Sequence, residues 1–254
     1  MPSAVLLVSH GSRDPRPEVA MEQLVKYVSQ LRSQPQFAAV QVTDNYAVSK
    51  IQQPFVATAC LELSPLPLHQ QILEFSTRAL SYGFNRVQIV PIFLLAGTHV
   101  MVDIPEQVAI AQQTLISELA LDLRPHLGTH PGLVPLLSTA LDATDADAWI
   151  LLSHGSRRPG AKEPIKAIAT QLGFIDAYWA VPPSLVSRVK TLVDAGHQQI
   201  GILPYFLFAG GITDAIAQAV TQLQSQFPQV KLHLAQPIGA SRELAELICD
   251  LVKE

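Results

Sequence analysis

The chain repeats itself. The segment "AVLLVSHGSRDP" near its start returns as "AWILLSHGSRRP" past its middle, setting Ala4 over Ala148, His10 over His154, Arg13 over Arg157 and Pro15 over Pro159. Further on, "GFNRVQIVPIFLLAGTHV" lies over "GHQQIGILPYFLFAGGIT", matching Gly83 to Gly196, Pro91 to Pro204, Phe93 to Phe206 and Gly97 to Gly210. A third pair, "LRPHLGTH" and "LAQPIGAS", sets Gly128 on Gly239. The elements recur in the same order, so one half must fold much as the other does. The halves run 1–143 and 144–254 and meet at the polar "DATDAD", which lacks apolar periodicity.

Each half alternates short apolar runs with amphipathic segments. "AVLLVSH", "VQIVPIFL", "AWILLSH" and "IGILPYFL" are apolar on both faces, as strands of a helix-covered parallel sheet must be. "EVAMEQLVKYVSQL", "PEQVAIAQQTLISELA", "EPIKAIATQL" and "DAIAQAVTQLQSQF" read as helices. Strand–helix alternation predicts an α/β fold. It should form two tandem lobes, each a mainly parallel sheet flanked by helices, facing each other across a cleft.

Composition narrows the function classes. At 48% hydrophobic and 15% charged, the 254 residues can bury a sizeable core and do not read as disordered. A net charge of −4 gives no global basic field for nucleic acid or an anionic membrane, so neither is an expected partner. The two cysteines, Cys60 and Cys249, stand far apart, against a cysteine zinc site or a disulfide framework. That usage suits a reducing cytoplasm. No stretch has the ~20 apolar residues of a membrane span, and the first residues lack a signal-peptide pattern. The expected location is the cytoplasm.

In an open α/β sheet, ligands bind outside the carboxyl ends of the strands. "SHGSR" falls at such an end in each half. Gly11 can take a tight turn, Ser12 can cap the following helix, and Arg13 can point toward a ligand. "PIFLLAGTHV" also ends a strand and places His99 just beyond it. Two strand-end histidines in one lobe can converge. Imidazole suits iron, cobalt, nickel and zinc, and accepts protons near neutrality. A third group is Glu62, where the apolar run of "VATACLELSPLPL" gives way to a proline-rich loop.

The repeat supplies an internal control. His99 aligns with Ile212, and Glu62 falls near Ala180 or Val181. The turns recur while these two side chains do not, so the turns alone do not demand them. A His10–Glu62–His99 constellation in the first lobe is the expected metal or proton-transfer site. His154 lacks matching partners and reads as structural or cleft-lining.

On "LLVSHGSRDP", "ACLELSPLPL" and "VPIFLLAGTHVMVDIP", the sequence resembles the sirohydrochlorin chelatases, the small class II tetrapyrrole chelatases, over essentially its whole length. The resemblance implies a bilobal α/β chelatase fold with an active site in the cleft. It implies insertion of Fe²⁺ or Co²⁺ into sirohydrochlorin, with no permanent cofactor; the metal is a substrate. The family's two histidines match His10 and His99, and its strand-end glutamate matches Glu62. All three are expected as catalytic residues and metal ligands. Ser12, Arg13 and Arg157 are expected to hold the anionic tetrapyrrole, with Arg16 and Arg158 nearby; arginine forks pair well with carboxylates. The final "ELICDLVKE" carries no histidine-rich tail of the kind found in some cobalt-inserting relatives, which tilts the expected metal toward iron, and the long form with one degenerate half most resembles the sirohydrochlorin ferrochelatases. The alternatives are a cobaltochelatase and a non-catalytic carrier of metal or tetrapyrrole. A histidine phosphatase is disfavoured, because Ser9 stands where that chemistry needs arginine and no glycine-rich phosphate loop occurs. His126 and His130 look like a ligand pair but belong to a strand-to-helix loop, and His69, His197 and His233 read as surface residues. Asp103 either opens a helix or orients His99. The oligomeric state is not legible.

Overall fold

The structure is a computed structural model that describes residues 3–33, 54–115, 119–139, 141 and 145–253. Residues 142–144 of the "DATDAD" junction, and residues 116–118 of "PEQVAIAQQTLISELA", lie outside the described residues; the helix read from that segment ends at Thr114, and Ala120 already belongs to a strand.

The first sheet holds β1 (Ala4–Ser9), β2 (Val56–Cys60), β3 (Arg86–Pro91) and β4 (Ala120–Leu123), ordered β2-β1-β3-β4 and parallel throughout. The second holds β5 (Ala148–Ser153), β6 (Ile175–Tyr178), β7 (Gln199–Pro204) and β8 (Lys231–Leu234), ordered β6-β5-β7-β8 and parallel. The four apolar runs that anchor the repeat are therefore the two central strands of each sheet. Their burial explains their composition. Leu6 and Val8 pack with Ile72, Phe75, Ile89 and Ile104, while the alternate residues Val5 and Leu7 are also fully buried. With both faces covered, no polar alternation survives.

The helices are α1 (Arg16–Arg32), α2 (Leu68–Ser81), α3 (Ile104–Thr114), α4 (Leu133–Thr139), α5 (Glu163–Leu172), α6 (Leu185–Asp194), α7 (Gly211–Gln226) and α8 (Arg242–Leu251). Each sheet thus arises from strand–helix alternation, as the sequence predicts. Where helices start with a cap, the local chemistry is visible: Ser184 and Ser241 accept the N–H of Ser187 and Leu244 at the starts of α6 and α8.

The compact units do not coincide with the sequence repeats. One unit is Met1–His130 with Ala240–Glu254; the other is Pro131–Gly239. The closing helix of each repeat has been traded. Helix α8, from the second repeat, lies along α1, and α4, from the first repeat, lies along α5. The apolar face of α8 (Leu244, Ala245, Ile248, Cys249) is buried in the first unit, where α1 buries Met21, Leu24, Val28 and Leu31. Arg124 Nε, just past β4, donates to the Leu251 carbonyl at 2.7 Å, and His130 stands 3.8 Å from Asp250. A segment's periodicity says that a face must be covered, not which half covers it.

Candidate metal centre

Strand order decides where the first unit can hold a ligand. From β1 the chain moves to one side for β2, then to the other side for β3. The order reverses between β1 and β3, and crevices in open α/β sheets form outside the carboxyl ends at such a switch point. His10 follows β1 directly, His99 follows β3, and Glu62 lies two residues beyond β2.

These three side chains come together. One ligand atom from each of His10, Glu62 and His99 lies within 4.8 Å of the others. His10 Nε2 stands 3.9 Å from Glu62 Oε2, and the two imidazoles meet edge to face with centroids 4.8 Å apart. Donors at about 2.1 Å from a shared ion lie no more than about 4.2 Å apart. Small side-chain movements close the difference, and His10 and Glu62 are half exposed.

Hydrogen bonds set the imidazoles' roles. His10 Nδ1–H donates to the Gly11 carbonyl at 3.1 Å, and His99 Nδ1–H donates to Asp103 Oδ2 at 2.6 Å. A carbonyl only accepts, so His10 keeps its proton on Nδ1 and presents the Nε2 lone pair; a carboxylate partner favours the same tautomer at His99. Phe93 lies 6.5 Å and 6.3 Å from the His10 and His99 rings, an apolar wall beside the pair. Sequence reasoning assigned Phe93 no role. Its recurrence as Phe206 marks it as part of the shared scaffold.

The loop geometry explains "HGS". Gly11 has φ of 95°, and a Cβ there would run into the Glu62 carbonyl oxygen. Only glycine allows the two loops to approach so closely. The Glu62 N–H donates to the His10 carbonyl at 2.9 Å, which ties the glutamate to the histidine through the backbone. Ser12 does not cap α1. Its hydroxyl accepts the N–H of Asp14 at 3.0 Å, because α1 begins only at Arg16, beyond its reach. Asp14 instead accepts the Arg16 N–H, and its carboxylate pairs with the Arg16 guanidinium at 2.6 Å. That guanidinium holds the Asp14 carboxyl at about 2. Arg16 is thus already paired, whereas Arg13 is exposed beside the site.

The second unit repeats the frame without the chemistry. Ala180 N–H donates to the His154 carbonyl at 2.9 Å, the same bond that Glu62 makes to His10. Ala180, not Val181, is therefore the counterpart of Glu62. His154 and Arg157 are exposed beside the equivalent turn, and Ser156 accepts the Arg158 N–H as Ser12 accepts that of Asp14. His10, Glu62 and His99 form the one group of this kind among the described residues.

The remaining histidines have other work. His126 Nδ1–H donates to the Phe93 carbonyl at 3.0 Å, His69 meets Gln107 at 2.8 Å, His197 meets Asp147 at 3.1 Å and His233 meets Gln199 at 3.4 Å. A cavity of about 310 Å³ beside the centre is lined by residues that include Glu62, Asp103, Glu106 and Gln107. A larger one, about 540 Å³, lies in the second unit between α4 and the stacked Trp149 and Phe174, and contains none of the centre's residues.

The family model for CbiX matches residues 4–144 and again residues 148–254. The chain belongs to the CbiX family. The double match follows the repeat, with the family unit present twice. A curated relative, the sirohydrochlorin ferrochelatase of Priestia megaterium, is 25% identical over 98% of this chain and 89% of its own length. The sirohydrochlorin cobaltochelatase of the same organism is 23% identical over 99% of this chain and 79% of its own. Among solved structures, SirB from Bacillus subtilis with Fe³⁺ superposes with a TM-score of 0.72 at 21% identity, covering 99% of this chain and 94% of that one. The chelatase-like α/β fold and the family resemblance read from the motifs are both borne out. No helix among the described residues is long and apolar enough to cross a membrane.

Proposed function

We propose that this CbiX-family chain inserts a divalent metal, Fe²⁺ in the first instance, into sirohydrochlorin. The observation that carries this reading is the convergence of His10, Glu62 and His99 at the switch point of the first sheet, in a unit whose twin lacks two of the three. The names of the Priestia megaterium relatives supply the substrate class.

The chemistry suits the groups. As a divalent ion enters the macrocycle, two pyrrolic N–H protons must leave. The ion must also be held beside the ring plane without being kept. A site with two imidazoles and one carboxylate, half exposed, leaves coordination positions open, unlike a closed four-ligand structural site. His10 and His99 offer their Nε2 lone pairs to the ion or to a leaving proton. Glu62 completes the site and passes protons to solvent. The metal is a substrate, and no permanent cofactor is required. Arg13, three residues beyond His10, supplies a cation for the tetrapyrrole carboxylates; Ser12 shapes the turn that carries Arg13.

Iron is favoured by the ferrochelatase relative, which this chain spans more fully than it spans the cobaltochelatase. The test is a competition assay of the purified protein with sirohydrochlorin and Fe²⁺, Co²⁺ and Ni²⁺, following the absorption of each metallated product. Faster formation of the iron product than of the others is expected. Preference for Co²⁺ would make the chain a cobaltochelatase. No acceleration with any metal would overturn the enzymatic reading.

A further inference from the structure

Between its first turn and its first buried position, the helical stretch that follows β3 holds one residue more than its twin. Pro91 and Pro204 end equivalent strands, and Gly97 and Gly210 fall in register 113 residues apart. The first helical hydrogen bonds keep that register: Met101 N–H donates to the Gly97 carbonyl, and Asp214 N–H to the Gly210 carbonyl, each at 3.0 Å. The core-facing residues do not keep it. Ile104, Val108 and Ala111 of α3 correspond in burial to Ile216, Val220 and Leu223 of α7, 112 residues apart. The register therefore slips between Met101 and Ile104. Val102 and Asp103 fill an interval that Ala215 fills alone in the second unit.

The slip has a visible backbone form. Residues His99–Asp103 make one turn of π-helix, in which the Ile104 N–H reaches back five residues to the His99 carbonyl. A π-turn is how an otherwise α-helical segment absorbs one extra residue, and such turns recur at functional sites. In the twin, the helix runs regularly from Gly211; Ile212 stands in place of His99, and its one acidic residue here, Asp214, lies two residues from Ile212 instead of four. In the first unit, the widened turn puts the Asp103 carboxylate 2.6 Å from His99 Nδ1 while Ile104 stays fully buried.

We propose that Asp103, accommodated by this one-residue insertion, is the positioning residue of the centre. It holds the His99 Nδ1–H so that the Nε2 lone pair is offered to the metal shared with His10 and Glu62. This rests on the metal-site reading, and it adds a specific origin for the site's asymmetry. The turn and its carboxylate, not the histidine alone, distinguish the competent unit. A partner that fixes a ligating histidine's tautomer and ring orientation typically changes metal affinity 10–100-fold, on the order of that magnitude here.

The test is Co²⁺ titration of the full chain without tetrapyrrole, followed by visible absorption, with thermal unfolding measured in parallel. Asp103→Ala is expected to weaken Co²⁺ binding about 10–100-fold with little change in unfolding temperature, because the side chain is partly exposed. Asp103→Asn keeps an oxygen that accepts the Nδ1–H and is expected to recover much of the loss. Deleting Val102 should restore a regular helix in the core's own register and cost Co²⁺ affinity at least as severely as Asp103→Ala. Should that deletion fail to fold, the alanine–asparagine comparison still decides. Wild-type affinity in Asp103→Ala, or equal losses in the alanine and asparagine variants, overturns the positioning role. A wild-type chain that binds no Co²⁺ overturns the metal-site reading itself.

Discussion

The amide of Glu62 is bonded to the carbonyl of His10, and the same 2.9 Å bond joins Ala180 to His154 in the twin unit. Two units thus share a scaffold down to single hydrogen bonds while differing in the side chains it displays. That pairing makes one unit a control for the other.

The first consequence concerns the three converging side chains. His10→Ala, His99→Ala and Glu62→Gln are each expected to reduce sirohydrochlorin metallation at least about 100-fold, the range typical of removing a positioned proton acceptor or ligand. Their thermal stability should stay near wild type because the groups are surface-lying. His154→Ala should leave the rate within about twofold. Steady-state rates with Fe²⁺ and sirohydrochlorin check this, and a loss in His154→Ala equal to that in His10→Ala would contradict it.

Gly11 makes a separable prediction. Gly11→Ala places a side chain at positive φ and against the Glu62 carbonyl, whereas Gly160→Ala, at φ of 75°, meets no neighbouring atom within contact distance. The conformational cost alone is about 1–2 kcal/mol. Gly160→Ala should lose about that much in denaturant unfolding. Gly11→Ala should lose more, and should also lose Co²⁺ affinity, because the Glu62 loop must retreat. Equal destabilisation of the two variants would show that the loops are not in tight contact.

On the proposed function, Arg13 would bear on substrate binding and not on chemistry. Arg13→Ala should raise KM for sirohydrochlorin several-fold at little cost to kcat, the signature of lost uniform binding. The effect should shrink at high ionic strength, since exposed charges are screened. A fall in kcat at unchanged KM would place Arg13 in the metallation step.

The traded helices can be tested through Cys249. Burial on the inner face of α8 pushes its thiol up to about 11. At pH 8, thiolate is then present in only about one molecule in a thousand, and the thiolate is the reactive form. A disulfide reagent at that pH should leave Cys249 unmodified in the native chain and modify it on unfolding. A fragment of residues 1–143 lacks α8 altogether. Leu244 and Ile248 alone contribute about 1.5–3 kcal/mol each by burial. The fragment should therefore pair with a second copy, each lending its own α4, and sedimentation should show a dimer. A stable, cooperatively unfolding monomer would refute this.

Much of the fold was legible because buried parallel strands leave little choice of residue. β1, β3, β5 and β7 had to be continuous apolar runs, and the repeat confirmed them against one another. The clustering of His10, Glu62 and His99 was legible for the complementary reason. Where Ile212 and Ala180 suffice for the turn, His99 and Glu62 need another explanation. Ser12 was misread because a serine that closes a turn and one that caps a helix look alike until the helix start is known, here four residues later at Arg16. The helix exchange was hidden because "LVPLLST" and "RELAELICDL" declare an apolar face without naming its cover. The π-turn was hidden because its sign is a change of register between buried positions, which needs both helices in view.

That register change gives the molecule an economical evolutionary handle. Losing a single codon before Ile104 would replace the widened turn that joins Asp103 to His99 by a plain helical one, and the hydrophobic positions downstream would be untouched. On the proposed reading a duplicated unit can thus fall silent without its interior having to be redesigned, whereas regaining the centre also takes replacement of Ile212 and Ala180.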